Sequence, residues 1–343
     1  MMQLANNNYR LLQPRPYPAR LSLVIPMYNE GLVVPFLTSG LEQFMTELRG
    51  EAEVVLVNDG STDSTLKQIV EWAQQNPRVK VVNLSRNFGH QIASTAGLDY
   101  ATGDAVVLLD SDMQDPLLVI HRMIERYCEG YDVVYGQREA RRGETWFKRL
   151  TAWLFYRLMS TLVHKDLPVD AGDFRLLSRP CLDALQQMRE THRFLRGMVA
   201  WVGFPQTGVP YERSPRVAGS SKYTLTKMVK LAWTAATSFS IFPLKVSTLL
   251  GVVVTLLGLE EAVRAILSKI FHWYVVPGWS SLTVLISIIG GATLVSIGVL
   301  GEYVGKLYEQ TKNRPLYLVS QTVNVGSEKQ SDGNRRFETT GKP

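Results

Sequence analysis

Cysteine is nearly absent from this chain: Cys128 and Cys181 are the only two in 343 residues. They form no C-x-x-C pair, so neither a disulfide framework nor a cysteine zinc site is indicated, and the usage fits a reducing cytosol. Histidine is scarce too, and no two of the 5 have metal-ligand spacing. No G-x-G-x-x-G follows the first strand-like run, which argues against a dinucleotide-binding site, and the lack of G-x-x-x-x-G-K-[ST] excludes a P-loop ATPase. Residues 1–20 are polar and proline-bearing with no apolar core, so they do not read as a signal peptide. The net charge of +6 is modest and comes without a nucleic-acid-binding motif. Nucleic acid is therefore not an expected partner; anionic substrates and an anionic leaflet suit the charge better. Long apolar runs are rare before Ile241 and then fill about 60 residues.

The first two thirds instead contain a repeated alternation. Leu21–Pro26, Glu53–Val57, Val79–Leu84 and Ala105–Leu109 are short apolar runs, with helix-like stretches near 31–49, 64–75 and 91–101 between them. That order implies a mostly parallel sheet with helices on both faces. Each run breaks into a polar tip: Met27-Tyr28-Asn29-Glu30, Asn58-Asp59-Gly60-Ser61-Thr62-Asp63, Ser85-Arg86-Asn87-Phe88-Gly89-His90 and Asp110-Ser111-Asp112-Met113-Gln114-Asp115. Ligands of open α/β sheets bind at such strand ends. Asp110 and Asp112 can reach one site from an extended backbone, and paired carboxylates suit Mg²⁺ or Mn²⁺ on a diphosphate. The plainer account is a solvated acidic loop, with Asp115-Pro116 starting a helix and Ser61 or Asp63 capping another. His90 and His164 read as structural.

Taken in order, V-I-P-M-Y-N-E (Val24–Glu30), V-N-D-G-S-T-D (Val57–Asp63), S-R-N-F-G-H (Ser85–His90) and D-S-D-M-Q-D-P (Asp110–Pro116) resemble the family 2 inverting glycosyltransferases with the A-type nucleotide-sugar-binding fold. A-G-D-F-R-L (Ala171–Leu176), R-F-L-R-G (Arg193–Gly197), G-S-S-K-Y (Gly219–Tyr223) and the run Gly301–Val319 extend the match across residues 20–320. The set resembles the polyprenyl-phosphate glycosyltransferases. These include the bactoprenol glucosyltransferases of O-antigen modification and, more distantly, dolichol-phosphate mannose synthases.

The resemblance implies transfer of one sugar, glucose by the nearest likeness, from a UDP-sugar to polyprenyl phosphate with inversion. It makes Asp112 the leading metal ligand with Gln114 beside it, the ion being Mg²⁺ or Mn²⁺. Asp110 would bind the ribose or reach the metal through water. Pro26, Tyr28, Glu30, Asp59 and Arg86 would hold the nucleotide sugar, and Asp59 suits a uracil N–H. Asp173 matches the catalytic base, with Asp170 the alternative. Arg138, Arg141, Arg193, Arg196, Ser221 and Lys222 are candidates for the acceptor phosphate, since guanidinium forks fit phosphate oxygens. For Arg138–Arg142 a solvated or headgroup-contacting surface is an equal account. A processive polysaccharide synthase is a rival, although Q-x-x-R-W is lacking. A non-catalytic nucleotide-sugar-binding scaffold is another, opposed by intact Asp112, Gln114 and Asp173.

Two C-terminal stretches, about 243–267 and 279–304, are long enough to span a bilayer as a hairpin. Lysines and arginines flank the pair (Lys222, Lys227, Lys230, Lys245; Lys306, Lys312, Arg314), whereas the connecting loop has Lys269 alone. The positive-inside rule then puts both termini and the catalytic domain in the cytoplasm, and the resemblance implies the inner membrane of a bacterium. The expected organisation is an N-terminal extension (1–20), a glycosyltransferase domain (21–220), a juxtamembrane amphipathic helix (221–242), two transmembrane helices (243–304) and a cytoplasmic tail (305–343), disordered from about 326. The resemblance implies a flippase and a downstream glycosyltransferase as partners, and the glycine-bearing spans permit self-association.

Overall fold

The computed structural model describes residues 12–138, 171–213, 242–271 and 279–326. The chain divides into two compact units, each considered by itself. In the first, the apolar runs become β1 (Arg20–Met27), β2 (Glu51–Asn58), β3 (Val79–Leu84) and β4 (Ala105–Leu108), paired in parallel in the order β4-β1-β2-β3. Almost every residue of β1, β2 and β4 is buried, as a parallel sheet covered on both faces requires. Leu21, Leu23, Ile25 and Met27 face a core shared with α1 (Val34–Glu47), α2 (Thr65–Gln75) and α4 (Leu118–Cys128). The opposite face takes α3 (His90–Tyr100), where Gly97 lies directly on Val24 and Val57 and leaves no room for a Cβ.

The sheet then departs from the simple alternation. β5 (Val133–Arg138) and β6 (Ala171–Ser178) follow, then α5 (Arg179–Gln187), α6 (Leu195–Trp201) and β7 (Gln206–Tyr211). β6 runs antiparallel to both β4 and β5, and β7 closes that edge beside β5. At the far edge β8 (Val319–Val323) pairs antiparallel with β3. Its place in the sheet differs from the sequence expectation of a tail from residue 305. The segment is held by specific bonds: Asn324 Nδ2 donates to the carbonyls of Ala73 (2.6 Å) and Val79 (2.9 Å), and Tyr317 Oη donates to Asp99 at 2.9 Å. A short polar strand gains its order from the neighbour it pairs with, which its own residues do not announce.

The second unit, among the described residues, is two helices that pack on one another, α7 (Phe242–Ile270) and α8 (Trp279–Thr311). With 29 and 33 residues they exceed the ~20 needed to cross a hydrocarbon core. Both are apolar enough to cross a membrane, over Pro243–Glu260 and Ile288–Thr311. Leu249, Leu256, Leu257, Leu294 and Ile297 are exposed on their outer surfaces, which suits lipid rather than water. Gly290, Gly291, Gly298 and Gly301 are not used in the packing of this pair, because a Cβ on any of them meets nothing within 4 Å. Most of the expected juxtamembrane helix (221–242) lies outside the described residues.

Candidate active site

Because β1 to β4 are parallel, their carboxyl ends form one rim, and the polar tips stand side by side on it. Each tip contains one residue in the left-handed region: Asn29 (φ 54°), Gly60 (φ 66°), Gly89 (φ 97°) and Met113 (φ 56°). Hydrogen bonds lock the tips together. The Asn29 amide N–H donates to Ser61 Oγ at 3.0 Å, and Asn29 Oδ1 accepts from Thr62 N–H at 2.8 Å. Asp63 accepts from the N–H groups of Gly31 and Thr65, both at 3.0 Å, so it caps α2 and ties the β1 tip to it. Gly60 lies against the Arg86–Asn87 peptide so closely that any Cβ would collide with backbone. Asp59 is 2% exposed and accepts the amides of Phe88 (2.7 Å) and Gly89 (2.9 Å). Burial raises its pKa and those two donors oppose the rise.

The β4–β6 pairing supplies the central feature. Leu108 is opposite Arg175 in this antiparallel register. Two residues beyond, past the end of β4, Asp110 and Asp173 come together at the same rim. Like charges across strands repel, so the pair needs cations. Arg196 Nε donates to Asp173 Oδ1 at 2.7 Å. His90 Nε2 lies 3.3 Å from Asp173 Oδ2 and 3.6 Å from Asp110 Oδ1. Gln91 Nε2 adds a contact of 3.4 Å to Asp173 Oδ2, while its Oε1 accepts the Leu195 amide at the start of α6. Burial would raise the pKa of Asp173, but the charge of Arg196 and the His90 hydrogen bond hold it well below the usual carboxylate range. Asp110 is pushed up by burial, with the charges of Asp173, Asp115 and Asp112 adding to the rise and His90 opposing it. His90 is raised: burial works against its protonation, and the Asp173 hydrogen bond with the Asp110 and Asp173 charges outweighs it.

Such a strand-tip cluster, with one carboxylate held ionised and another pushed up, is where chemistry is expected. The profile described as "Glycosyl transferase family 2" matches residues 22–185. The uncharacterized glycosyltransferase sll0501 of Synechocystis is 47% identical over 300 residues, 88% of this chain and 94% of that one. The chain belongs to glycosyl transferase family 2. The bactoprenol glucosyl transferase of Shigella phage SfX is 39% identical over 300 residues (88% and 98% of the two chains). The prophage bactoprenol glucosyl transferase homolog of Escherichia coli is 38% identical over 302 residues (88% and 99%). Alignments of this length continue past residue 185 into the C-terminal helices.

In this family 2 glycosyltransferase the residues expected from sequence fall into groups. Pro26, Tyr28, Glu30, Asp59, Arg86, Asp110, Asp112, Gln114 and Asp173 all lie on the strand-tip rim. Tyr28 is open to solvent there, and Arg86 stacks on the Phe88 ring at 4.1 Å. Of the basic residues, Arg196 reaches the carboxylate pair, while Arg193 turns away and donates to the Met188 carbonyl at 2.5 Å. Arg138 ends β5. Arg141, Ser221, Lys222 and the alternative base Asp170 lie outside the described residues. His90, Gln91 and Arg213 were not singled out from sequence for the site. Only the end of S-R-N-F-G-H hinted at the first, and Arg213 follows β7 with Nη2 3.7 Å from Asp112 Oδ2.

The acidic turn after β4 offers hard oxygen donors, the chemistry that suits a divalent cation. Asp112 Oδ1 already accepts the Gln114 amide at 3.2 Å, which sets its orientation. Among the described residues no group of three or more His, Cys, Asp and Glu is placed to hold a metal ion.

Proposed function

We propose that this glycosyltransferase moves glucose from UDP-glucose to the phosphate of a polyprenyl phosphate, inverting the anomeric centre. A phosphate oxygen of the acceptor attacks C1 as the bond from C1 to the UDP oxygen breaks, and UDP leaves with that electron pair. The acceptor is ionised at neutral pH, so positioning two anions matters more than removing a proton. The juxtaposition of Asp110 and Asp173 with Arg196 carries this reading. Asp173, strongly depressed in pKa, is a poor proton acceptor; it is better suited to hold Arg196 toward an incoming phosphate. Asp110 and the β1 and β2 tips, with Tyr28, Glu30 and Asp59, would form the nucleotide side. Asp112 and Gln114 would hold the Mg²⁺ or Mn²⁺, which supplies charge neutralisation for the departing diphosphate.

The lipid acceptor is supported by the names of the Shigella phage and Escherichia coli relatives and by the two membrane-length helices. With lysines and arginines flanking the helix pair, the rim would work on the cytoplasmic side. A single-sugar product is favoured over a polymer because the two membrane-length helices among the described residues offer little to build a polysaccharide channel. The deciding experiment incubates the full-length protein with radiolabelled UDP-glucose, Mg²⁺ and undecaprenyl phosphate, then extracts with organic solvent. A lipid-soluble product bearing one glucose is expected. Polymer would indicate a processive synthase, and binding without product a scaffold.

A further inference from the structure

His90 is the first residue of α3 and follows directly on Gly89. The buried Asp59 carboxylate grips the backbone amides of Phe88 and Gly89, so the start of the helix is fixed and the His90 ring projects from an anchored point. That is a costly place for a cationic ring, because a helix N-terminus carries partial positive charge. The ring does not serve the core either, since its side chain is 44% exposed. Its Nε2 instead faces carboxylates on two different strand ends, Asp173 at 3.3 Å and Asp110 at 3.6 Å. Asp173 has Arg196 on one oxygen, so His90 and Gln91 define the other. At Asp110 the charge of His90 opposes the rise produced by burial and by Asp173, Asp115 and Asp112.

We infer that His90 is a positioning residue for transfer: its Nε2 joins the nucleotide-side Asp110 to the acceptor-side Asp173 and keeps the two halves of the site in register. The inference rests on the proposed function. Without the ring, the β4–β6 register would leave two carboxylates facing each other with the guanidinium charges of Arg196 and Arg175 acting on the Asp173 side. They would separate, and displacing reacting groups by about 1 Å can cost about 10²-fold in rate.

The test measures kcat and both KM values for the full-length wild type, His90→Ala, His90→Gln and His90→Glu with UDP-glucose and undecaprenyl phosphate. Calorimetric UDP-glucose binding counts competent molecules in each preparation. His90→Ala is expected to lose about 10- to 100-fold in kcat with KM values changed less than about threefold. His90→Gln, which can place an amide N–H near the same point, should recover most of the loss, and His90→Glu should be the least active. A kcat for His90→Ala within about twofold of wild type, or a His90→Gln no better than His90→Ala, overturns the inference. A wild type that makes no glycolipid overturns the proposed function itself and the inference with it, so the two failures are distinguishable.

Discussion

Glu53 and Asp110 are carboxylates on the same sheet, one buried at the base of β2 and one half-buried just past the tip of β4. Glu53 is surrounded by partners: Lys80 Nζ at 2.6 Å, Ser22 Oγ at 2.5 Å, and the N–H and hydroxyl of Thr102 at 2.6 and 2.7 Å. Burial alone would raise its pKa, but the Lys80, Ser22 and Thr102 bonds bring it down to about 2. Asp110 is pushed the other way, by burial and by Asp173, Asp115 and Asp112. The base uses its polar groups on one another and thereby joins β1, β2 and β3. The rim retains like charges close together, an arrangement that substrate or a cation would relieve. Sites tolerate such local cost when the rest of the fold supports it.

That contrast makes mutational effects separable. The largest effect on activity is expected from Asp112→Ala, with transfer falling about 10²- to 10³-fold or more. Its thermal midpoint should be unchanged, because the side chain lies at the rim and supports no core. A variant as active as wild type, in excess EDTA, would remove the metal role. Next comes Asp173→Asn, which loosens the hold on Arg196 and is expected to cut turnover by about 10²-fold. Nucleotide-sugar affinity should barely change, since Tyr28, Asp59 and Asp112 remain; an equal loss of affinity by calorimetry would move Asp173 to the donor side.

At the base the pattern should reverse. Glu53→Gln leaves the Lys80 ammonium without its counter-charge and should cost about 3 kcal/mol of stability, while turnover per folded molecule stays near wild type. Adding Lys80→Met should restore part of the loss. The pH dependence has a definite sign. Glu53 binds a proton less readily folded than unfolded, so its stabilisation is complete above about pH 4.5 and is lost as pH falls toward about 2. Thermal melts across that window should show a shallower acid loss for Glu53→Gln than for wild type. Parallel curves would mean that other groups set the acid limit. The smallest effect is at the sheet edge, where Asn324→Ala removes the amide bonded to Ala73 and Val79 and should cost about 1 kcal/mol. Unchanged melting would show that β8 is held by its strand pairing alone.

Much of this was written in the sequence. The expected runs lie within one or two residues of β1 to β4, because fully buried parallel strands must be continuously apolar and their tips polar. Expected helices at 64–75 and 91–101 match α2 and α3 closely. The acidic turn, the family and the two long apolar helices were legible for the same reason: each is local in sequence. Contacts between distant segments were not. Nothing in Ala171–Ser178 states that β6 runs antiparallel to β4, yet that direction brings Asp173 to Asp110. Residues Arg193 and Arg196 look equivalent in the chain, and the short α6 turns one onto Asp173 and the other onto the Met188 carbonyl. The polar β8 looks like tail until β3 offers it an edge. His90 looks structural until two strand ends converge on its Nε2. Burial pattern and local motif follow from the chain's own chemistry, whereas strand order, direction and the pairing of charges follow from which segments share hydrogen bonds once the sheet has closed.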